Sequence, residues 1–251
     1  MSAETLETVE RATRGAPELA IIWLHGLGAD GHDFEPIIPE LGLRAGARFV
    51  FPHAPIRPVT INGGMPMRAW YDIVGFDASA EDVAGIRASA AAVTRLIDRE
   101  VERGVPAERI VVAGFSQGGA IALQLGLREP RRLAGVLALS TYLPLAATLA
   151  REKSAANAAV PIFMVHGSAD PVIPLALADA SRRDARARGL HGRLARLSDG
   201  ARGLRARDPR DRGVARRARA WPSPVRPRRA RMTRGPRRSA EPPRRTTAPR
   251  T

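Results

Sequence analysis

The segment Gly114–Gly119, which reads Gly-Phe-Ser-Gln-Gly-Gly, has residue types and spacing that suit nucleophilic chemistry. A glycine stands two positions before Ser116 and another two positions after it, where a side chain would collide with a sharp turn that presents the serine hydroxyl. An apolar run precedes the segment and a helical stretch follows it, so backbone N–H groups at the helix start can stabilise an oxyanion. The pattern predicts a serine that attacks acyl carbon, and the simpler alternative is a glycine-rich turn with a spectator serine.

A second loop can complete an oxyanion hole. Leu24–Gly28 reads Leu-His-Gly-Leu-Gly and ends the first clear apolar run of the chain. When a serine sits on such a turn, one donor is the N–H of the next residue and the other comes from an early strand-to-helix loop. We therefore predict the N–H groups of Leu27 and Gln117 as the pair, with a plain glycine turn as the alternative. His25 is predicted to be structural, because it precedes the turn and lies far ahead of Ser116.

A carboxylate, Asp170, follows a later apolar run. On the loop after residues 161–165 it is placed to orient a histidine that acts as general base toward Ser116. A turn-forming role before Pro171 is the alternative, and it would be the simpler interpretation of Asp170 taken alone. The serine turn upstream favours the catalytic interpretation.

Short apolar runs alternate with helical stretches through the first three quarters of the chain. The runs do not alternate polar with apolar residues, which predicts strands that are covered on both faces. They cover residues 20–24, 48–51, 109–113, 133–139 and 161–165. Helices are predicted over residues 82–103, 117–128 and 173–188. Strands that alternate with helices predict a mainly parallel α/β sheet.

Charge divides the chain near residue 190. Residues 1–189 carry 20 basic and 21 acidic side chains, whereas residues 190–251 carry 20 basic and 4 acidic ones, and all 20 of these cations are arginines. The second segment also has 8 prolines and no Ile, Phe or Tyr. Such a segment cannot bury enough apolar surface to offset its ordering entropy. We therefore predict a globular domain over residues 1–189 and a basic, disordered tail over residues 190–251.

Composition excludes several classes of protein. The 251 residues contain no cysteine, so a disulfide framework, a thiol nucleophile and a zinc ribbon are all excluded. No apolar run approaches the length of about 18 residues that a membrane-spanning helix needs. The first stretch of the chain lacks the basic-then-apolar pattern of a secretion signal, so a cytoplasmic protein is expected.

Residues 19–189 resemble the bacterial carboxylesterase and acyl-protein thioesterase family of α/β-hydrolases. The resemblance rests on several motifs in the family's order, which are Leu24–Asp30, Phe51–Pro55, Val59–Gly64, Met67–Asp72, the Ser116 turn and the Asp170 loop. It implies a lidless serine esterase that acts on small carboxylic esters or acyl thioesters and that needs neither a cofactor nor a metal.

The resemblance also implies roles at the matching positions. The implied nucleophile is Ser116, the orienting acid is Asp170, and the oxyanion donors are the N–H groups of Leu27 and Gln117. The implied apolar substrate pocket contains Met65, Met67 and Trp70. Packing in the core explains the aromatic ring equally well, and methionine also fills ordinary cores.

The general base of the implied triad is absent from the sequence. Triad residues in this fold follow the order Ser, Asp, His, and of the five histidines only His191 follows Asp170. The other four are His25, His32, His53 and His166. The family's histidine lies in a Gly-His step beyond one more strand, and His191 would fall at the start of that strand. We therefore identify no triad histidine and expect the family's last strand and last helix to be missing, which would leave the strand over residues 161–165 at the sheet edge.

The tail has the composition that GC-rich DNA gives when it is translated in the wrong frame. Back-translation from Leu190, read one nucleotide later, is compatible with a strand, a Pro-Met-Gly-His loop and a helix, the order that the family shows at this point. The shifted frame meets a stop codon where Met232 is followed by Thr233, whichever synonymous codons are used. We hypothesise a one-base insertion or a two-base loss near codon 190, either in the gene or in its sequencing.

Three functions follow from these features. The first is a serine hydrolase that is inactive as written because it lacks the triad histidine. The second is a non-catalytic pseudoenzyme that binds acyl ligands. The third is binding of a polyanion by the arginine tail, which the frame hypothesis makes unnecessary because it explains the same arginines. The expected partner is a small ester or thioester, with neither a membrane nor a nucleic acid involved.

Overall fold

The computed structural model describes residues 5–43, 45–75, 81–167, 170, 173, 175–187 and 192–197, with the backbone alone for residues 182, 185–187 and 192–197. His191 and the arginine-rich segment from residue 198 onward lie outside these residues. Within the described part of the chain, no helix combines the length and the apolar character needed to cross a membrane.

Strands and helices alternate along most of the described chain. The strands are β1 (Thr8–Ala12), β2 (Leu19–Leu24), β3 (Ala47–Pro52), β4 (Ile56–Val59), β5 (Met65–Arg68), β6 (Ile110–Phe115), β7 (Gly135–Leu139), β8 (Ile162–Gly167) and β9 (Gly192–Leu197). The helices are α1 (Ile38–Leu41), α2 (Val83–Glu102), α3 (Gln117–Gly126), α4 (Leu149–Glu152) and α5 (Leu175–Ala187). Each predicted strand and helix is present, with its ends shifted by a few residues.

Seven strands form one sheet in the order β1-β3-β2-β6-β7-β8-β9. Strand β1 is antiparallel to β3, and every other neighbouring pair is parallel. The central strands β2, β6 and β7 are buried along nearly their whole length, as expected for continuous apolar runs covered on both faces. The predicted fold class, a mainly parallel α/β sheet flanked by helices, is confirmed.

One edge of this sheet differs from the expectation. Gly192–Leu197 pairs in parallel with β8, from Ile162 opposite Gly192 to Gly167 opposite Leu197. A last strand is therefore present, and the expectation that it is missing, with β8 left at the edge, is wrong. The unpaired N–H and C=O groups of an edge strand are a template for any extended segment. Because these bonds involve only backbone, residues 192–197 can form them although they belong to the basic tail predicted over residues 190–251.

Besides β9 and the short helices α1 and α4, two elements were not predicted from the sequence. They are β1 and the antiparallel hairpin of β4 and β5, which pair from Ile56 opposite Arg68 to Val59 opposite Met65. Both contain exposed residues, so they lack the continuous apolar runs by which buried strands are recognised. The hairpin contacts the loop after β2, since the N–H of Gly28 donates to the carbonyl oxygen of Arg68 at 2.9 Å.

Helices α2 and α3 hold the central strands from one side. The carboxylate of Asp82 caps α2 by accepting a hydrogen bond from the N–H of Gly85 at 2.8 Å, which is a preferred way to start a helix. Every residue of α3 is buried, and the helix begins directly after Ser116. The serine is therefore mounted between a central strand and a fully packed helix.

Candidate active site

Ser116 lies on a strained turn between β6 and α3. Its φ of 52° and ψ of −118° are rare for a residue with a side chain and cost about 1–3 kcal/mol. Its N–H donates to the carbonyl oxygen of Leu139 at 2.8 Å, and its carbonyl oxygen accepts from the N–H of Ala120 and from the hydroxyl of Thr141, at 3.1 Å and 2.7 Å. Ser116 is partly exposed, and its side chain does not cap α3.

Close backbone contacts explain the glycines around Ser116. A Cβ on Gly114 would lie 2.3 Å from the carbonyl oxygen of Gly118, and a Cβ on Gly118 would lie 2.5 Å from those of Leu24 and His25. No side chain fits there, because carbon and oxygen atoms seldom approach closer than about 3.3 Å. The turn has the geometry that its glycine spacing predicted, and it packs the start of α3 against the end of β2.

The loop Leu24–Gly28 lies beside the serine. A Cβ on Gly26 would be 3.6 Å from the Cβ of Ser116, and Leu27 is the next residue of this loop. Among the described residues, neither the N–H of Leu27 nor that of Gln117 has a hydrogen-bond acceptor. Gln117 is the first residue of α3, so its N–H also carries the positive end of the helix dipole. The two free N–H groups can stabilise a negatively charged oxygen next to the serine.

Hydrogen bonds that the sequence did not predict hold the loops around Ser116. The Oε1 of Gln117 accepts from the N–H of Trp70 at 2.8 Å, and its Nε2 donates to the carbonyl oxygen of Tyr71 at 2.7 Å. The hydroxyl of Tyr71 lies 3.0 Å from that of Tyr142, and Thr141 holds the carbonyl oxygen of Ser116. No spacing rule reveals such contacts, although the motif Met67–Asp72 had indicated that the loop matters.

His25 is neutral and structural, in agreement with the prediction. Its Nδ1 lies 2.7 Å from the carbonyl oxygen of Gly26, and its Nε2 lies 3.0 Å from the N–H of Ala54. Because a carbonyl only accepts and an N–H only donates, Nδ1 carries the proton and Nε2 carries the lone pair. Burial lowers the pKa of His25 to about 4. The Nδ1 therefore bonds within the loop that contains Leu27, and the Nε2 links that loop to Ala54 after β3.

Asp170 follows β8 at the same edge of the sheet as Ser116. The N–H of Ser116 bonds to Leu139 in β7, and the N–H of Ser140 bonds to Val165 in β8, so the ends of three neighbouring strands line up. Two strand spacings separate Ser116 from the end of β8, which is roughly 10 Å. A carboxylate that follows β8 therefore needs an intervening group to act on the serine.

The side chain of Asp170 is only 4% exposed. Its carboxylate closes a turn with Ile173, which is the turn-forming role given above as the alternative to catalysis. Its Oδ1 accepts from the N–H of Ile173 at 3.0 Å, and its Oδ2 lies 3.8 Å from the Nε2 of His166. That Nε2 donates to the carbonyl oxygen of Ile173 at 2.8 Å. His166 is fully buried in this turn, two strands away from the serine.

The other described histidines also lie away from the serine hydroxyl. The Nδ1 of His53 accepts from the N–H of Gly31 at 3.1 Å, and His32 pairs with Glu35. Over the described part of the chain no histidine forms a hydrogen bond with the hydroxyl of Ser116. In the same part of the chain no group of three or more His, Asp or Glu side chains could hold a metal ion.

The predicted pocket residues lie at different depths. Trp70 is completely buried, with its ring centroid 5.3 Å from that of His25, so it supports the loop from inside and does not face a substrate. Met65 is 64% exposed on β5. The Sδ of Met67 lies 3.8 Å from the position of a Cβ on Gly28, and Met67 is partly exposed. Of the three, Met67 is the partly exposed residue beside the loop Leu24–Gly28.

Solved structures share this fold. The acyl-protein thioesterase 2 of Zea mays superposes with a TM-score of 0.73 at 28% identity, over 85% of this chain and 98% of that one. SOBER1 of Arabidopsis thaliana superposes with a TM-score of 0.71 at 27% identity, over 80% of this chain and 98% of that one. The parallel sheet, the strained serine after β6 and these likenesses define an α/β-hydrolase.

The sequence narrows this class to one family. The chain belongs to the Phospholipase/Carboxylesterase family, whose pattern matches residues 6–195. Acyl-protein thioesterase 1 of Neurospora crassa is 44% identical over 173 residues, which are 64% of this chain and 71% of that protein. Acyl-protein thioesterase 1 of Schizosaccharomyces pombe is 40% identical over 164 residues, 65% of this chain and 73% of that protein. The family predicted from the motifs is confirmed, and it is a family of hydrolases.

Proposed function

We propose that this fold hydrolyses carboxylic esters or acyl thioesters through an acyl-enzyme on Ser116. The observation that carries the proposal is a strained, partly exposed serine beside two free N–H groups. Relatives and structural neighbours named acyl-protein thioesterase support the substrate class.

The chemistry assigns one task to each group. The Oγ of Ser116 forms a bond to the acyl carbon while its proton passes to a general base, and the carbonyl oxygen gains negative charge. The N–H groups of Leu27 and Gln117 donate to that oxygen, an interaction whose removal typically costs about 100- to 1,000-fold in rate. The alcohol or thiol leaves with the proton. Water then attacks the acyl-serine in the same way and releases the carboxylic acid.

We propose that the general base is missing from this chain. His25, His53 and His166 use ring nitrogens within the fold, and His166 lies in β8, two strands away from Ser116. In the shifted reading frame, a Gly-His step follows the segment that forms β9. A histidine after the last strand would be on the edge of the sheet where Ser116 and Asp170 lie. The chain as written is therefore expected to have negligible hydrolase activity.

A comparison of two serines tests the role of Ser116. In the frame-corrected chain, hydrolysis of a chromogenic short-chain ester and of an acyl thioester should be lost on Ser116→Ala. Ser140→Ala is the matched control, since Ser140 also has a positive φ, of 45°, but its hydroxyl is buried. Activity that survives in Ser116→Ala would contradict the assignment, and the ratio of ester to thioester rates would define the substrate class.

Binding of acyl ligands without turnover is the second candidate. Two observations favour it: the serine turn is intact, and His25 and His166 bond to backbone carbonyl oxygens and not to Ser116. Calorimetric titration of the chain as written with a medium-chain fatty acid tests it. Saturable binding that is weakened by Met67→Ala supports this function, and absence of binding at millimolar fatty acid excludes it.

The division of the chain into a domain and a tail, and its location in the cell, are still predictions. We propose a hydrolase domain over residues 1–189, to which β9 adds a strand, and a basic tail beyond it. Filter binding of nucleic acid across a salt series, comparing the full chain with a truncation after residue 197, tests whether the tail has a function of its own. Cell fractionation tests the cytoplasmic location.

A further inference from the structure

We propose that the side chain of Gln117 and the indole of Trp70 are positioning residues that couple the two halves of the oxyanion hole. The proposal rests on the proposed function, because it concerns the same two N–H groups. Leu27 and Gln117 come from loops that are ninety positions apart in the sequence, so something must fix the distance between their N–H groups. Within the described residues, the pairing of Leu24 with Gly114 brings the two loops together, and a buried chain of side-chain hydrogen bonds connects them further.

The chain of bonds begins at the residue that supplies one donor. The amide of Gln117 is 2% exposed and spans two consecutive peptide groups, accepting from Trp70 and donating to Tyr71 at 2.8 Å and 2.7 Å. An amide bound at both ends by backbone has one orientation available. The start of α3, and with it the N–H of Gln117, is thereby fixed relative to residues 70 and 71.

The chain of bonds ends at the loop that supplies the other donor. The Nε1 of Trp70 donates to the carbonyl oxygen of His25 at 2.9 Å. The imidazole of His25 then holds Gly26 and Ala54, at 2.7 Å and 3.0 Å. Leu27 follows directly. A shift of Trp70 would therefore move the carbonyl of His25 and the peptide that presents the N–H of Leu27.

Two other buried side chains show that these bonds are not a general property of the core. The Nε1 of Trp23 and the Oε1 of Gln124 are both buried without a hydrogen-bond partner. Trp23 lies in β2, two residues before His25, and Gln124 lies in α3, the same helix as Gln117. They are therefore matched controls. Trp23 is a buried tryptophan near His25, as Trp70 is, and Gln124 is a buried glutamine in the same helix as Gln117.

The test compares four variants of the full-length chain. Trp70→Phe removes the indole N–H, and Gln117→Met removes both amide bonds while the backbone N–H of residue 117 stays. Trp23→Phe and Gln124→Met remove the same groups where they make no bond. In leucine-labelled protein, the amide resonance of Leu27 should shift in Gln117→Met and Trp70→Phe and stay unchanged in both controls. A purely structural role would change unfolding temperature without moving this resonance selectively.

A short-chain alkylboronic acid provides the second readout. The Oγ of Ser116 forms a bond to boron, its proton is released to the buffer, and the resulting tetrahedral anion occupies the oxyanion hole. Because displacement of a reacting group by about 1 Å can cost about 100-fold, we expect boron NMR to give adduct dissociation constants about 10- to 100-fold weaker in Trp70→Phe and Gln117→Met. Both controls should bind as the unsubstituted chain does.

The outcomes separate this inference from the proposed function. An unchanged Leu27 resonance in both Trp70→Phe and Gln117→Met would overturn the coupling, whether or not an adduct forms. Equal shifts in the test and control variants would overturn it as well. Absence of any adduct in the unsubstituted chain would instead count against the proposed function, and the Leu27 resonance would still decide the coupling.

Discussion

Replacement of Gly118 by alanine tests the close contact between the start of α3 and the end of β2. In the interior of an ordinary helix this substitution stabilises a protein by about 0.5–1 kcal/mol, because glycine loses more backbone entropy on folding. At position 118 we expect the opposite sign. The reason is that the structure leaves no room for a methyl group where the helix passes the loop of His25.

The magnitude follows from the distances. A Cβ at Gly118 would lie 2.5 Å from the carbonyl oxygens of Leu24 and His25, whereas a normal contact is about 3.3 Å, so backbone must move by roughly 0.8 Å. Neither oxygen can be moved by rotating a side chain. Overpacking of this kind typically costs about 1–3 kcal/mol. After the gain in helix propensity, the free energy of unfolding should fall by about 1–2 kcal/mol.

Urea unfolding followed by circular dichroism measures this change. The reverse exchange, Ala88→Gly, at an exposed position of α2, is the control, because alanine should be the more stable residue there by about 0.5–1 kcal/mol. Glycine is thus expected to be preferred at position 118 and alanine at position 88. If Gly118→Ala were as stable as the parent, or more stable, the close contact between α3 and β2 would not exist. The reasoning about the serine turn would then be wrong.

Two further predictions concern buried ionisable groups. His25 has a pKa near 4 in the folded state and near 6.5 when unfolded, so between these pH values the unfolded chain binds more protons. The free energy of unfolding should therefore fall by about 3 kcal/mol as the pH drops from 6.5 to 4. The urea midpoint should depend less on pH in His25→Asn than in the parent, and an equal dependence in both would contradict the assignment. The carboxylate of Glu100 is fully buried and lies 2.7 Å from Arg48 Nη1, so Glu100→Ala should lower the free energy of unfolding by about 3 kcal/mol. The control Glu18→Ala breaks an ion pair with Arg109 whose side chains are 63% and 41% exposed, and it should cost less than about 1 kcal/mol. Similar losses in both variants would show that burial does not set the cost.

The sequence predicted the serine turn and the central strands because their causes are local. The glycines at 114 and 118 are required by contacts within the turn and with the strand next to it, and the apolar runs of β2, β6 and β7 reflect burial on both faces. The cap of α2 at Asp82 is likewise a short-range interaction. Features of this kind leave their signature in residue type and spacing.

Other features depend on contacts between distant segments. The buried position of Trp70 follows from its bond to the carbonyl oxygen of His25, 45 residues away, and no pattern distinguishes this ring from one that lines a pocket. Strand β9 could not be predicted from Gly192–Leu197, because its pairing is supplied by the backbone edge of β8. The expectation that no triad histidine is present uses only the order of residues along the chain, and it stays a prediction.

The most direct measurement compares kcat for a chromogenic short-chain ester in two proteins, the chain as written and the chain with its reading frame corrected near codon 190. Because loss of a triad base lowers kcat by up to about 10⁶-fold, we predict turnover by the corrected chain and none above background by the chain as written. Comparable turnover by both would show that Ser116 has a base within residues 1–251, and an inactive corrected chain would show that the shifted frame does not supply one. Either result would contradict the account.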